Sequence, residues 1–98
     1  MNNSRAIRKV SFSNFYCTKC GQKNFITIPR RKGQEREPGH LKKMYCFSCQ
    51  EETNMVEVRE GKQTYTLDMF FTEYYHGNFT PEGTRKEKNF RKFCSMYI

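Results

Sequence analysis

The sequence contains no tryptophan, only two histidines and, among its ten acidic residues, a single aspartate, Asp68. One aspartate and nine scattered glutamates offer no paired carboxylates for acid–base chemistry. No glycine loop that cradles phosphate occurs, and no nucleophile signature. The chain therefore reads as a non-enzyme. No apolar run approaches the roughly 18 residues a membrane helix needs, so no membrane partner is expected. The opening stretch, MNNSRAIRKV, is polar and basic and carries no apolar secretion core. The expected location is cytoplasmic, where structural disulfides are disfavoured. The odd cysteine count, five, points the same way.

Apolar residues are scarce as well, at 36% against 29% charged in 98 residues. That supply suits one small domain with a thin core, and such domains commonly rely on a metal or covalent staple. Nine Phe and six Tyr nevertheless argue against disorder. The abundance of Phe, Tyr, Asn, Lys, Ile and Met is that of translated AT-rich DNA, as in low-GC bacteria and their phages.

The net charge of +8 is localised. Arg5, Arg8 and Lys9 give the first nine residues +3. Arg30, Arg31, Lys32 and Arg36 outweigh Glu35 and Glu37 by two over 30–40. Arg85, Lys86, Lys88, Arg91 and Lys92 outweigh Glu82 and Glu87 by three over 79–98. The remainder is neutral. The excess therefore lies in a tail, a loop and a C-terminal segment.

Two cysteine pairs dominate the motif content: YCTKCGQ with Cys17 and Cys20, and YCFSCQ with Cys46 and Cys49. Two intervening residues let a tight turn aim both sulfurs at one ion, and backbone N–H groups in the turn can donate to the thiolates. Gly21 follows the first pair, where a positive φ is often required. Gln50 stands in the equivalent place after the second pair, which predicts a more strained turn. A redox dithiol needs a βαβ setting and a helix N-terminus at the cysteines, whereas strand-forming sequence flanks both pairs. Four thiolates close the tetrahedral shell of one structural Zn²⁺, leaving no open position for chemistry on a substrate. The metal would lower the net charge to about +6.

VSFSNFY (10–16), NFITIP (24–29), LKKMYC (41–46) and TNMVEV (53–58) read as strands around the two turns. From 10 to 60 the chain resembles the zinc-ribbon family, on Cys17, Cys20, Gly21, Cys46, Cys49 and this strand pattern. The resemblance implies a zinc-pinned antiparallel ribbon. It leaves function open, because ribbons serve transcription factors, ribosomal proteins, polymerase subunits and nucleases.

VEVREGKQTYTL reads as a hairpin turning at 60–62, with Tyr65 and Leu67 on its far strand. Leu67, Phe70, Phe71, Tyr74 and Tyr75 then fall at helical spacing, with Gly77 as a stop and His76 in the last turn. The stripe suits core packing; Tyr74 or Tyr75 left on the surface would be a base-stacking platform. After a turn at Pro81 and Gly83, RKEKNFRKFCSMYI resumes a helical pattern with Phe90, Phe93, Cys94 and Tyr97 on one face. Cys94 reads as a small core residue, with a reactive thiol as the alternative. His40 reads as an exposed loop side chain.

The expected architecture is α+β: a 1–9 tail, a 10–60 ribbon, and a 61–98 extension with two helices packed on the ribbon as one domain. The expected function is binding to DNA or RNA, associated with transcription, through the tail, the loop and the last helix. The alternative is a small regulator or inhibitor that binds a larger protein such as a host polymerase or nuclease.

Overall fold

The computed structural model describes residues 10–31, 37, 39–59 and 65–97. The readings placed on Arg5, Arg8, Lys9, Lys32, Arg36 and the turn at 60–62 lie outside the described residues. Four strands are present, β1 (Val10–Cys17), β2 (Ile28–Arg31), β3 (Leu41–Cys46) and β4 (Glu51–Arg59), followed by α1 (Leu67–Tyr75) and α2 (Phe90–Tyr97). All neighbouring strands pair antiparallel, in the order β2-β1-β4-β3. The result is a small α+β fold.

Strand alternation sorts the apolar residues onto two faces. Tyr16, Val56 and Val58 join Tyr65 and Phe70 in one core cluster, with Leu41, Leu67, Phe71 and Tyr74 packed around it. Phe15, Cys17, Cys46 and Met55 form the second cluster on the opposite face. Helix α1 covers the first face through the stripe visible in its sequence. The Thr66 hydroxyl caps it by accepting from Met69 N–H at 3.3 Å. Gly77, at φ +75°, ends it. Phe70 is fully buried against Tyr16, with ring centroids 5.2 Å apart. A ring so placed contributes about 2–3 kcal/mol of burial.

Three segments differ from their local patterns, each for a non-local reason. Strand β2 begins at Ile28 rather than near 24. Asn24 holds the preceding residues out of the sheet: its amide donates to Tyr45 O at 2.9 Å and accepts from Ile26 N–H at 2.8 Å. Beyond β4, Arg59 N–H reaches Tyr65 O at 3.4 Å, but Leu67 is already the first residue of α1 and no fifth strand forms among the described residues. The last helix starts at Phe90, not near Arg85. Asn78 clamps the intervening stretch, accepting from Glu87 N–H at 2.8 Å while its backbone carbonyl accepts from Lys86 N–H at 2.7 Å. Asn89 then caps α2 by accepting from Lys92 N–H at 3.2 Å.

Glu73, fully buried on α1, ties these parts together. Arg85 donates to both of its oxygens, from Nε at 2.8 Å and from a terminal nitrogen at 3.0 Å. The Tyr65 hydroxyl and the Asn78 amide also donate to it. Arg85 further donates to Gly39 O at 2.8 Å and lies over the rings of Tyr65 and Phe79. A buried carboxylate is tolerable only when so fully partnered. One side chain therefore joins α1, the post-helical turn and the loop before β3.

Candidate metal centre

Strands β1 and β3 both run antiparallel to β4, so they run parallel to each other and finish at the same end of the sheet. Cys17 is the last residue of β1 and Cys46 the last of β3. The topology alone thus delivers both cysteine turns to one end, with only β4 between them. Each turn closes with the same backbone bond: Gly21 N–H donates to Cys17 O at 2.9 Å and Gln50 N–H to Cys46 O at 2.7 Å.

The sulfurs of Cys17, Cys20, Cys46 and Cys49 all lie within 4.8 Å of one another. Cys17 and Cys49 sulfurs are 3.8 Å apart, and Cys20 and Cys46 sulfurs 3.5 Å. A disulfide requires about 2 Å, so these cysteines are unbonded. Four sulfurs about 2.3 Å from a central ion would stand roughly 3.8 Å from each other, close to the 3.5 and 3.8 Å of these two pairs. The four cysteines are positioned to bind one metal ion.

The surroundings suit thiolates. Cys17 Sγ accepts from Lys19 N–H at 3.3 Å and lies 3.1 Å from the Thr53 hydroxyl; Cys46 Sγ accepts from Cys49 N–H at 3.4 Å. Burial alone would raise the Cys17 thiol, but the Thr53 hydroxyl and the N–H groups of Cys20 and Lys19 outweigh it and draw the pKa down to about 7. Cys49 is pushed up, first by burial and then by its three sulfur neighbours. Cys20 is raised as well, mainly by burial. Burial and the neighbouring sulfurs oppose ionisation of Cys20 and Cys49, a cost that a bound cation would offset. Neither turn opens a helix; α1 and α2 start at Leu67 and Phe90.

The predicted basic residues divide into two groups. Arg30 and Arg85 are held in ion pairs within the fold. Arg30 donates to both oxygens of buried Glu57 at 3.0 Å, and Arg85 is bound to Glu73 as described. Their charges are neutralised inside the fold. Arg31 on edge strand β2 and Lys86, Lys88, Arg91 and Lys92 in the C-terminal segment are exposed. His40 is half-buried, its carbonyl accepting from Glu57 N–H at 2.8 Å, and His76 closes α1 with Nδ1 2.9 Å from Thr72 O. Tyr74 is not a free platform: its ring covers Gly21 and its hydroxyl donates to Lys19 O at 3.2 Å.

One group of residues escaped the sequence reading. Phe25, Tyr45 and Phe47 form an exposed aromatic cluster beside the cysteines. A signal existed in Phe47. In a turn whose two sulfurs point inward, a residue between them is directed outward. No protein-family model matches the chain, and no curated protein or solved structure is significantly similar to it.

Proposed function

We propose that this chain is a zinc-stabilised, non-catalytic nucleic-acid-binding module of the zinc-ribbon type. Cys17, Cys20, Cys46 and Cys49 would hold the ion. An all-thiolate set at tetrahedral spacing suits Zn²⁺, which would act as a structural staple and neutralise the sulfur charge. The nucleic-acid reading is carried by one observation. Lys86, Lys88, Arg91 and Lys92 are all exposed within seven residues that contain a single acid, Glu87. Such a run neutralises phosphates and releases counterions. The tail residues Arg5, Arg8 and Lys9 and the loop residues Lys32 and Arg36 would extend the footprint. The test is binding of mixed-sequence oligonucleotides to the zinc-loaded protein across 50–200 mM salt. A steep log–log fall is expected; a flat response rejects the reading.

A second reading is a small protein-binding regulator, for example an inhibitor of a polymerase or nuclease. It is favoured by Tyr75 and Met96, which stand 75% and 65% exposed on the two helices. A stoichiometric protein partner that survives nuclease treatment would select it.

A further inference from the structure

Phe25 and Phe47 stack, with centroids 5.0 Å apart and planes 28° from parallel. Tyr45 meets Phe47 edge-on at 4.9 Å. Phe25 is 72% exposed and Phe47 59%. Large apolar rings so exposed are uncommon, and a contiguous group of them usually marks a binding surface. Two separate devices hold them outside. The second cysteine turn fixes Phe47. The buried Asn24 side chain bridges Tyr45 O and Ile26 N–H, and so fixes Phe25 between its two bonds. The rings are therefore preorganised, which lowers the ordering cost of binding.

The cleft beside them fits one class of occupant. Gln22, Lys23 and Ser48, all exposed, line it together with the two phenylalanines and the buried Asn24, Cys46 and Met55, and no carboxylate does. Flat π-faces, one lysine and uncharged hydrogen-bonding groups complement a nucleobase and its adjoining phosphate. We propose that Phe25 and Phe47 are a stacking platform for unpaired bases of single-stranded nucleic acid, with Lys23 facing the neighbouring phosphate. This rests on the nucleic-acid reading above and specifies its substrate: a duplex keeps its bases stacked on each other and cannot use the platform.

The test measures anisotropy of labelled oligo-dT and oligo-U 12-mers, and of a 12-base-pair duplex, with the zinc-loaded full chain. Single strands should bind about tenfold or more tighter than duplex. Phe25→Ala should weaken single-strand binding about tenfold and leave duplex binding and metal content unchanged. Phe47→Leu, which keeps apolar bulk but removes the π-face, should do the same, and Phe47→Trp should restore binding. Phe25 lies outside the cysteine turns, so its variant reports on stacking even if a change at Phe47 disturbs the metal. Equal binding of single strand and duplex, unaffected by either substitution, overturns the platform while the nucleic-acid reading stands. Failure to bind any oligonucleotide at 50 mM salt overturns both. Retention of single-strand binding by the Phe variants, with loss of a nuclease-resistant protein partner, assigns the rings to a protein interface and also overturns the proposal.

Discussion

Gly21 and Gln50 hold the same left-handed backbone conformation, at φ +76° and +58°, one after each cysteine pair. Each donates its N–H to the carbonyl of the first cysteine of its pair. The two turns are thus built alike, although only one has the residue that reaches this region without steric cost. A left-handed non-glycine residue carries about 1–2 kcal/mol of strain. Gln50→Gly should therefore raise stability by up to about 1 kcal/mol once the greater chain entropy of unfolded glycine is subtracted. Gly21→Ala should do the reverse and by more. It adds the strain and places a Cβ 3.1 Å from Tyr74 Cζ, loosening α1 from the first turn. Denaturant midpoints of the two zinc-loaded variants check the opposite signs.

Metal removal should unfold the protein rather than merely empty a site. Cys17 and Cys46 belong to the same core cluster as Phe15 and Met55. A domain of this size has a net stability on the order of 5–10 kcal/mol. Structural zinc supplies on the order of 10–16 kcal/mol in comparable small sites. A strong chelator should abolish the cooperative thermal transition and the near-ultraviolet signal of buried Tyr16 and Tyr65. Metal analysis should return one ion per chain in the folded protein and none in Cys46→Ser.

Local chemistry made the four-cysteine cluster and α1 legible in advance. A C-x-x-C turn and an i, i+3, i+4 stripe are both short-range patterns, and each has few structural solutions. Gly21 and Gly77 marked their turns because left-handed backbone selects glycine locally. The roles of Arg30 and Arg85 were not legible. In sequence both sit in basic runs. Their carboxylate partners are Glu57, 27 residues later, and Glu73, 12 residues earlier. Nothing in a local charge count separates a cation facing solvent from one buried opposite an acid brought in by a distant element. The shortened last helix has the same origin. Residues 85–89 follow a helical pattern, but Asn78 and Glu73 bind that stretch from another part of the chain.

The Glu73–Arg85 pair yields a sharp stability test. Glu73→Ala leaves a buried guanidinium without its carboxylate and should cost about 3–5 kcal/mol. Arg85→Met should cost a similar amount by leaving Glu73 buried without its cation, with only the Tyr65 hydroxyl and the Asn78 amide as donors. The double variant Glu73→Leu with Arg85→Met removes both charges and should be less damaging than the sum of the singles. Urea midpoints of the three variants give the coupling.

Acid should weaken the fold partly through Glu57. Burial would raise its pKa, but the Arg30 guanidinium, the Ser13 hydroxyl and the nearby His40 outweigh it and hold the carboxyl below its ordinary value. A carboxyl that is more acidic folded than unfolded gives its full stabilisation above the unfolded value, about 4.3. That stabilisation is lost as pH falls through the lower folded value. Glu57→Gln should be less stable at pH 7 and show a flatter fall below about pH 4.5. Loss of metal in acid affects both proteins alike, so the difference between their pH profiles isolates Glu57.

The division of the basic residues predicts two kinds of variant that a charge count cannot distinguish. Lys88 and Lys92 are exposed, so Lys88→Ala and Lys92→Ala should leave the thermal midpoint nearly unchanged. Each should reduce the salt slope of nucleic-acid binding by about 0.7–0.9, the share of one neutralised phosphate. Arg30→Gln removes the same formal charge but leaves Glu57 buried without its ion-pair partner. It should lower the thermal midpoint markedly and leave the salt slope of the folded fraction unchanged. The comparison is made below each variant's melting temperature with matched metal content. An equal slope change for Arg30→Gln and Lys88→Ala would mean that net charge acts as a whole, without a localised contact surface on the C-terminal segment.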